Sequence, residues 1–187
     1  LLLLGGDFQR GRAMLRALSI LSHVSAQDGI YGVEGNHDNY RKLFSAMLDR
    51  GITPLDNNGL LLKPQFYLAG VADMWRRKAD IAAALQNAPQ DAFTLLVSHN
   101  PDVCLKQDTS QVDLLLSGHT HDGQISFWGL WTPAHLWLRF KAGWSKTPHG
   151  ADLYVCAGAG QLKGTPRFYV PPEVIFITLK AENAGNK

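Results

Sequence analysis

The chain is poor in sulfur, carries no excess of either charge and has no long apolar run. Its two cysteines, Cys104 and Cys156, are too few for a disulfide framework, and each sits among apolar residues as a buried thiol does. Eighteen basic and sixteen acidic residues leave a net charge of +2 with no basic stripe, which argues against nucleic acid as a partner. The four leucines that open the chain are far too few to cross a bilayer, and they carry no signal-peptide pattern. There is no starting methionine, so the sequence is expected to begin inside a domain, with any targeting or anchoring segment upstream. No internal repeat divides it. Its 187 residues can bury one sizeable core, and a single domain is expected over 1–180 with a flexible tail at 181–187.

What the chain does have is a set of apolar strands that stop on polar residues. The stretch from Leu114 to Gly123 is the clearest: a leucine-rich run ends at Ser117-Gly118, and His119 and His121 follow one residue apart. Leu1 to Leu4 lead through Gly5-Gly6 to Asp7, Ile30 to Glu34 lead into Gly35-Asn36-His37-Asp38, and Phe93 to Ser98 end at His99. Helical spacing of apolar residues predicts helices over Arg12–Val24, Tyr40–Asp49 and Lys78–Gln86. Antiparallel strands are predicted at Leu60–Leu62 and Phe66–Val71, a helical turn at Pro101–Lys106, and late strands at Leu153–Ala157 and Val174–Leu179. The early βαβα rhythm predicts a sheet with helices packed against it.

Sites in parallel or mixed α/β sheets gather at carboxyl strand ends, which gives the polar stops a chemical reading. Asp7 can bridge two cations through its two oxygens, or it can cap the helix that follows. Asn36 offers an uncharged carbonyl oxygen, His37 a proton or a grip on a phosphoryl oxygen, and Asp38 a carboxylate to orient that imidazole; the same turn can also serve as a helix cap. His99, His119 and His121 add imidazoles, and a mixed oxygen and nitrogen set favours transition ions over calcium. His23, His135 and His149 lie in no such setting. Four of the five tryptophans fall between Gln124 and Trp144, with Arg139, Lys141 and Lys146 nearby. That stretch is either a loop covering core edges or an apolar lip suited to a membrane interface.

Taken together, Gly6-Asp7, Gly35-Asn36-His37-Asp38, Ser98-His99 and Gly118-His119-Thr120-His121 resemble the calcineurin-like metallophosphoesterase superfamily. Ala69-Gly70-Val71-Ala72-Asp73, Asp122-Gly123-Gln124, Gly158-Ala159-Gly160 and Pro166-Arg167-Phe168 through Pro172-Glu173-Val174 are similar to its bacterial, membrane-associated branch. That branch includes UDP-2,3-diacylglucosamine pyrophosphatase-like enzymes. The resemblance implies a four-layered α/β/β/α sandwich with two mixed sheets. It implies hydrolysis of a phosphate ester or pyrophosphate by metal-activated water, on a phosphorylated small molecule or a phospholipid-like substrate. Two divalent or trivalent transition ions (Mn, Fe or Zn) are expected in the intact protein, with Asp7, Asn36, His99, His119 and His121 as ligands. His37 is expected to stabilise the transferring phosphoryl group, with Asp38 beside it as the other catalytic residue.

The pattern departs from the family at one point. The family's Asp-x-His motif, expected upstream of the bridging aspartate, is nowhere in this chain. The sequence is therefore expected to lack its first strand, and one ion would then have only Asp7 and His121. The rival expectation is a catalytically impaired scaffold or interaction protein built on the same fold. A cytoplasmic location or one peripheral to the inner membrane, bacterial origin and membrane contact through Phe127–Trp144 complete the reading.

Overall fold

The computed structural model describes residues 1–180 apart from Arg10, Gly129, Leu130, Trp137 and residues 162–164; the side chain of His135 is also outside the description. The expected 181–187 tail lies wholly outside the described residues.

Two sheets form. The smaller orders β1 (Leu2–Leu4), β2 (Ile30–Gly32) and β3 (Thr53–Pro54), all parallel. The larger is mixed and uses β4 (Asn58–Lys63), β5 (Phe66–Gly70), β6 (Phe93–Val97), β7 (Leu114–Ser117), β8 (Gly143–Lys146) and β9 (Asp152–Val155). Its order is β4-β5-β6-β7-β9-β8, with antiparallel pairs only at its two edges. Helices α1 (Arg12–Leu21) and α2 (Tyr40–Leu48) follow the first two strands, and α3 (Ile81–Leu85) follows β5.

The period-2 alternation of each strand decides the layering. Leu2 and Leu4 of β1 pack with Met14 and Leu18 of α1 and with Leu43 and Met47 of α2, whereas Leu3 turns to the opposite side. On that side Leu3, Tyr31 and Val33 meet Leu68, Leu95, Val97 and Leu114 of the large sheet, filling the space between the sheets with apolar side chains. The other face of the large sheet sends Tyr67, Ala69, Leu96, Leu115 and Leu153 against Ile81, Ala84 and Leu85 of α3. Three apolar layers thus separate four structural ones, the α/β/β/α sandwich that the family resemblance implies. Strands buried on both faces read as unbroken apolar runs for this reason.

The local signals come from identifiable side chains. Asn39 caps α2 by accepting from the Lys42 amide, and Asp80 caps α3 by accepting from Ala83. Asn100 accepts from Asp102 at the start of a short 3-10 turn, Pro101–Leu105. Asp80 also explains why α3 begins at Ile81 and not at the expected Lys78. Two expectations need correction. Val174–Leu179 forms no strand: it pairs with none of the described strands, and Val174 is 72% and Phe176 97% exposed. Conversely, Trp144 belongs to β8, an edge strand in a stretch where the sequence predicts none.

Candidate metal centre

The carboxyl ends of the two sheets meet, and each polar stop arrives there on its own strand. β1 and β2 are parallel neighbours, so Asp7 and the Gly35–Asp38 turn emerge side by side. β6 and β7 are parallel neighbours in the other sheet and bring His99 and His119 together. Glycine makes the approach possible. A Cβ on Gly35 would lie 2.6 Å from the Asp7 amide nitrogen, and one on Gly6, whose φ is +91°, would lie 2.6 Å from the Gly35 nitrogen. Only bare backbone fits in that crossing.

Hydrogen bonds then fix the loops. Asp38 Oδ2 accepts from the amides of Asp7 (2.8 Å) and Gly35 (2.9 Å), tying the two strand ends through one buried carboxylate. Asp7 Oδ1 accepts from the His37 amide at 2.9 Å. Neither helix-capping alternative holds: Gly11 is the N-cap of α1, and Asn39 caps α2. Asp7, His119 and His121 all have positive φ (59°, 67° and 49°). Left-handed backbone costs roughly 1–2 kcal/mol in a residue with a Cβ, and such strain concentrates at functional sites.

Four donor atoms converge. His99 Nε2 lies 3.2 Å from Asn36 Oδ1, 3.3 Å from Asp7 Oδ2 and 3.1 Å from His119 Nδ1. Ligands about 2.1 Å from a shared ion stand about 3.0–3.4 Å apart at octahedral to tetrahedral angles, so these separations suit one transition ion. The ligand atoms of Asp7, His99 and His119 all lie within 4.8 Å of one another, and Asn36 adds a neutral oxygen. His99 Nδ1 lies 2.7 Å from the Gly5 carbonyl oxygen, which assigns its proton to Nδ1 and leaves the Nε2 lone pair facing the other donors. A cation placed among these atoms would meet a donor from each of the four residues.

The charges of these groups are coupled. Burial raises the Asp7 carboxyl, but the hydrogen bond and charge of His99 and the His37 amide outweigh it and bring the group down to about 2. Burial pulls the His99 imidazole down, yet its bond to Asp7 more than offsets this and leaves it above its ordinary value. His119 is lowered to about 4, first by burial and then by the His99 charge. Asp38 is raised to about 6, mainly by burial, with the neighbouring Asp7 charge acting in the same direction.

The remaining candidates sit around this centre. His37 is exposed, and its amide is the one that donates to Asp7 Oδ1. Asp38, expected to orient the His37 ring, spends its Oδ2 on the two backbone amides, and among the described residues its buried Oδ1 has no hydrogen-bond partner. His121 lies outside the convergent group of donor atoms. Its Nδ1 is 3.1 Å from an Arg167 nitrogen that also donates to the Ala157 and Gly158 carbonyls.

Sequence reasoning missed the supports. Buried Glu34 accepts from the Asp73 amide and pairs with Arg77, which also grips Asp56 in a two-point contact. Buried Asp73 accepts from the amides of Trp75 and Arg76. An acid inside an apolar strand end, as in Val33-Glu34-Gly35, was the available signal, because burial demands a partner.

Residues 1–123 match the family model described as calcineurin-like phosphoesterase. An uncharacterized metallophosphoesterase of Helicobacter pylori (strain ATCC 700392 / 26695) is 30% identical over 98% of this chain and 52% of its own length. The uncharacterized metallophosphoesterase YkuE of Bacillus subtilis (strain 168) is 30% identical over 89% of this chain and 61% of its own. A Bos taurus transmembrane protein with metallophosphoesterase domain is 28% identical over 76% and 36%, respectively. The chain thus spans about half the length of the first of these relatives. No solved structure matches it. With these strand ends inside the matched residues, the chain belongs to the calcineurin-like phosphoesterase family.

Proposed function

We propose that the intact protein is a metal-dependent hydrolase of phosphate esters or pyrophosphates. The observation that carries this reading is the convergence of Asp7, Asn36, His99 and His119 on one ion-sized position. An ion held there supplies Lewis acidity toward a phosphoryl oxygen and lowers the pKa of water, so no serine or cysteine nucleophile is required. The protein's own residues do the rest. Asp7 and Asn36 hold their oxygens in place through the Asp38-tied loops, and the Gly5 carbonyl keeps the His99 lone pair directed inward. The exposed His37 ring faces incoming substrate, where it offsets charge on the transferring phosphoryl group and returns a proton to the leaving oxygen. A second ion shared by Asp7 and His121 belongs to the same proposal.

We further propose a lipid-linked substrate and contact with a membrane surface. In support, Phe127 (49% exposed), Trp128 (77%) and Trp131 (45%) stand out from the loop that follows His121. Among the described residues no helix is long and apolar enough to cross a membrane. A cytoplasmic or inner-membrane-peripheral location in a bacterium fits this surface and the bacterial relatives.

The test is a panel of aryl phosphate monoesters and diesters and a nucleotide-linked lipid pyrophosphate, offered to the full-length protein loaded with Mn, Fe or Zn. Cleavage that disappears in Asp7→Asn is expected. Metal binding without cleavage of any substrate would overturn the hydrolase reading and favour the scaffold. In parallel, vesicle co-sedimentation of a Trp128/Trp131 double alanine variant should fall well below wild type, and unchanged binding removes the membrane contact.

A further inference from the structure

The turn from Asp73 to Arg77 is latched to the metal centre more firmly than a connecting loop requires. Asp73 is 2% exposed, and its Oδ1 accepts from the amides of Trp75 (3.0 Å) and Arg76 (2.8 Å). Glu34 Oε1 accepts from the Asp73 amide at 3.3 Å, so the turn is held by the strand end that carries Asn36. Two large side chains project from this anchored backbone and flank the ligand cluster. The Trp75 indole stands edge-to-face against the His119 imidazole, ring centres 4.4 Å apart, yet the residue remains 59% exposed. Arg76 Nε donates to the Asn36 carbonyl oxygen at 3.0 Å, and among the described residues its two terminal nitrogens have no partner.

An exposed tryptophan fixed against one ligand and an open guanidinium fixed beside another are not explained by core packing. Nor does the chemistry proposed for the centre use either one. A guanidinium held by its Nε presents its remaining N–H groups as a fork for oxyanions, and an immobilised indole offers a flat apolar surface at little entropic cost. We propose that Trp75 and Arg76 are specificity-determining residues that select phosphate compounds with a planar group beside the phosphate, the planar group stacking on Trp75 and a phosphoryl oxygen accepting from Arg76. The proposal rests on the phosphoesterase reading of the same centre and names the kind of compound it takes.

Binding separates the two ideas, because it needs no turnover. Manganese-loaded protein is titrated calorimetrically with phenylphosphonate, whose P–C bond the proposed hydrolysis does not cleave, and with inorganic phosphate. Wild type should prefer phenylphosphonate. In Trp75→Ala the affinity for phenylphosphonate should fall about tenfold, the scale of a lost stacking contact, while inorganic phosphate is held as before. Trp75→Phe should recover part of the loss. Arg76→Gln should weaken both ligands, and Arg76→Lys should restore little because the fork is gone. Equal affinities of wild type for the two ligands, or an unchanged preference in Trp75→Ala, overturns the proposal while leaving the phosphoesterase reading intact. Absence of any phosphate binding by metal-loaded wild type defeats both.

Discussion

Replacing Asp38 tests whether one buried carboxylate assembles the metal centre. Its Oδ2 accepts from the Asp7 and Gly35 amides at 2.8 and 2.9 Å, and the residue is 9% exposed. A hydrogen bond to a charged group contributes about 1.5–3 kcal/mol, and a buried amide left without a partner carries its own cost. Asp38→Ala should therefore destabilise the metal-free protein by about 3–5 kcal/mol, a large part of a typical domain's stability. Asp38→Asn keeps an oxygen for both amides and removes a charge that burial and Asp7 already disfavour, so its loss should stay within about 1 kcal/mol. Urea denaturation of the metal-free proteins gives these values, and calorimetric metal titration gives the second readout. Metal affinity should drop sharply in Asp38→Ala and only slightly in Asp38→Asn, because the Asp7 turn loses its tie only in the former. If Asp38→Ala costs under about 1 kcal/mol, or if Asn is as damaging as Ala, the tie is not what holds the two strand ends.

Three further outcomes are expected. Gly35→Ala forces a methyl group against the Asp7 backbone and should lower stability by about 2–4 kcal/mol, whereas Gly5→Ala, with nothing within 4 Å, should cost little; thermal melts of the pair decide this. Metal affinity should weaken about tenfold per pH unit once the pH falls below the raised pKa of His99, since its Nε2 must shed a proton to bind; titrations between pH 8 and 5 that show no slope contradict the assignment. Glu173 accepts from the Tyr154 hydroxyl and the Ala157 amide, both at 2.6 Å, and these outweigh burial to hold its carboxyl below the usual value. Because the folded pKa is the lower one, its contribution is present above the unfolded value and lost as pH falls through the folded one. Glu173→Gln should therefore show a shallower fall in stability on acidification, read from denaturation curves between pH 6 and 3.

The sequence alone determined where the strands stop and which polar residues stand there. Apolar runs cut off by Gly-Asp, Gly-Asn-His-Asp, Ser-His and Gly-His-x-His are local patterns, and a strand's carboxyl end is where such residues become available. Helix positions were legible for the same reason, since Met14, Leu18, Leu43 and Met47 repeat at helical spacing. Burial and long-range pairing were not legible. Val174–Leu179 has the composition of a strand, but pairing needs a neighbouring strand, which is a property of the whole fold and not of that segment. The exposure of Trp128 and Trp131 likewise depends on what the rest of the molecule leaves uncovered. Only the tertiary structure decided that Asp38 serves backbone amides from two strand ends, that His121 meets Arg167, and that Trp75 and Arg76 border the centre. These contacts join residues up to 46 positions apart, and such pairings are set by how the two sheets pack, which no local spacing encodes.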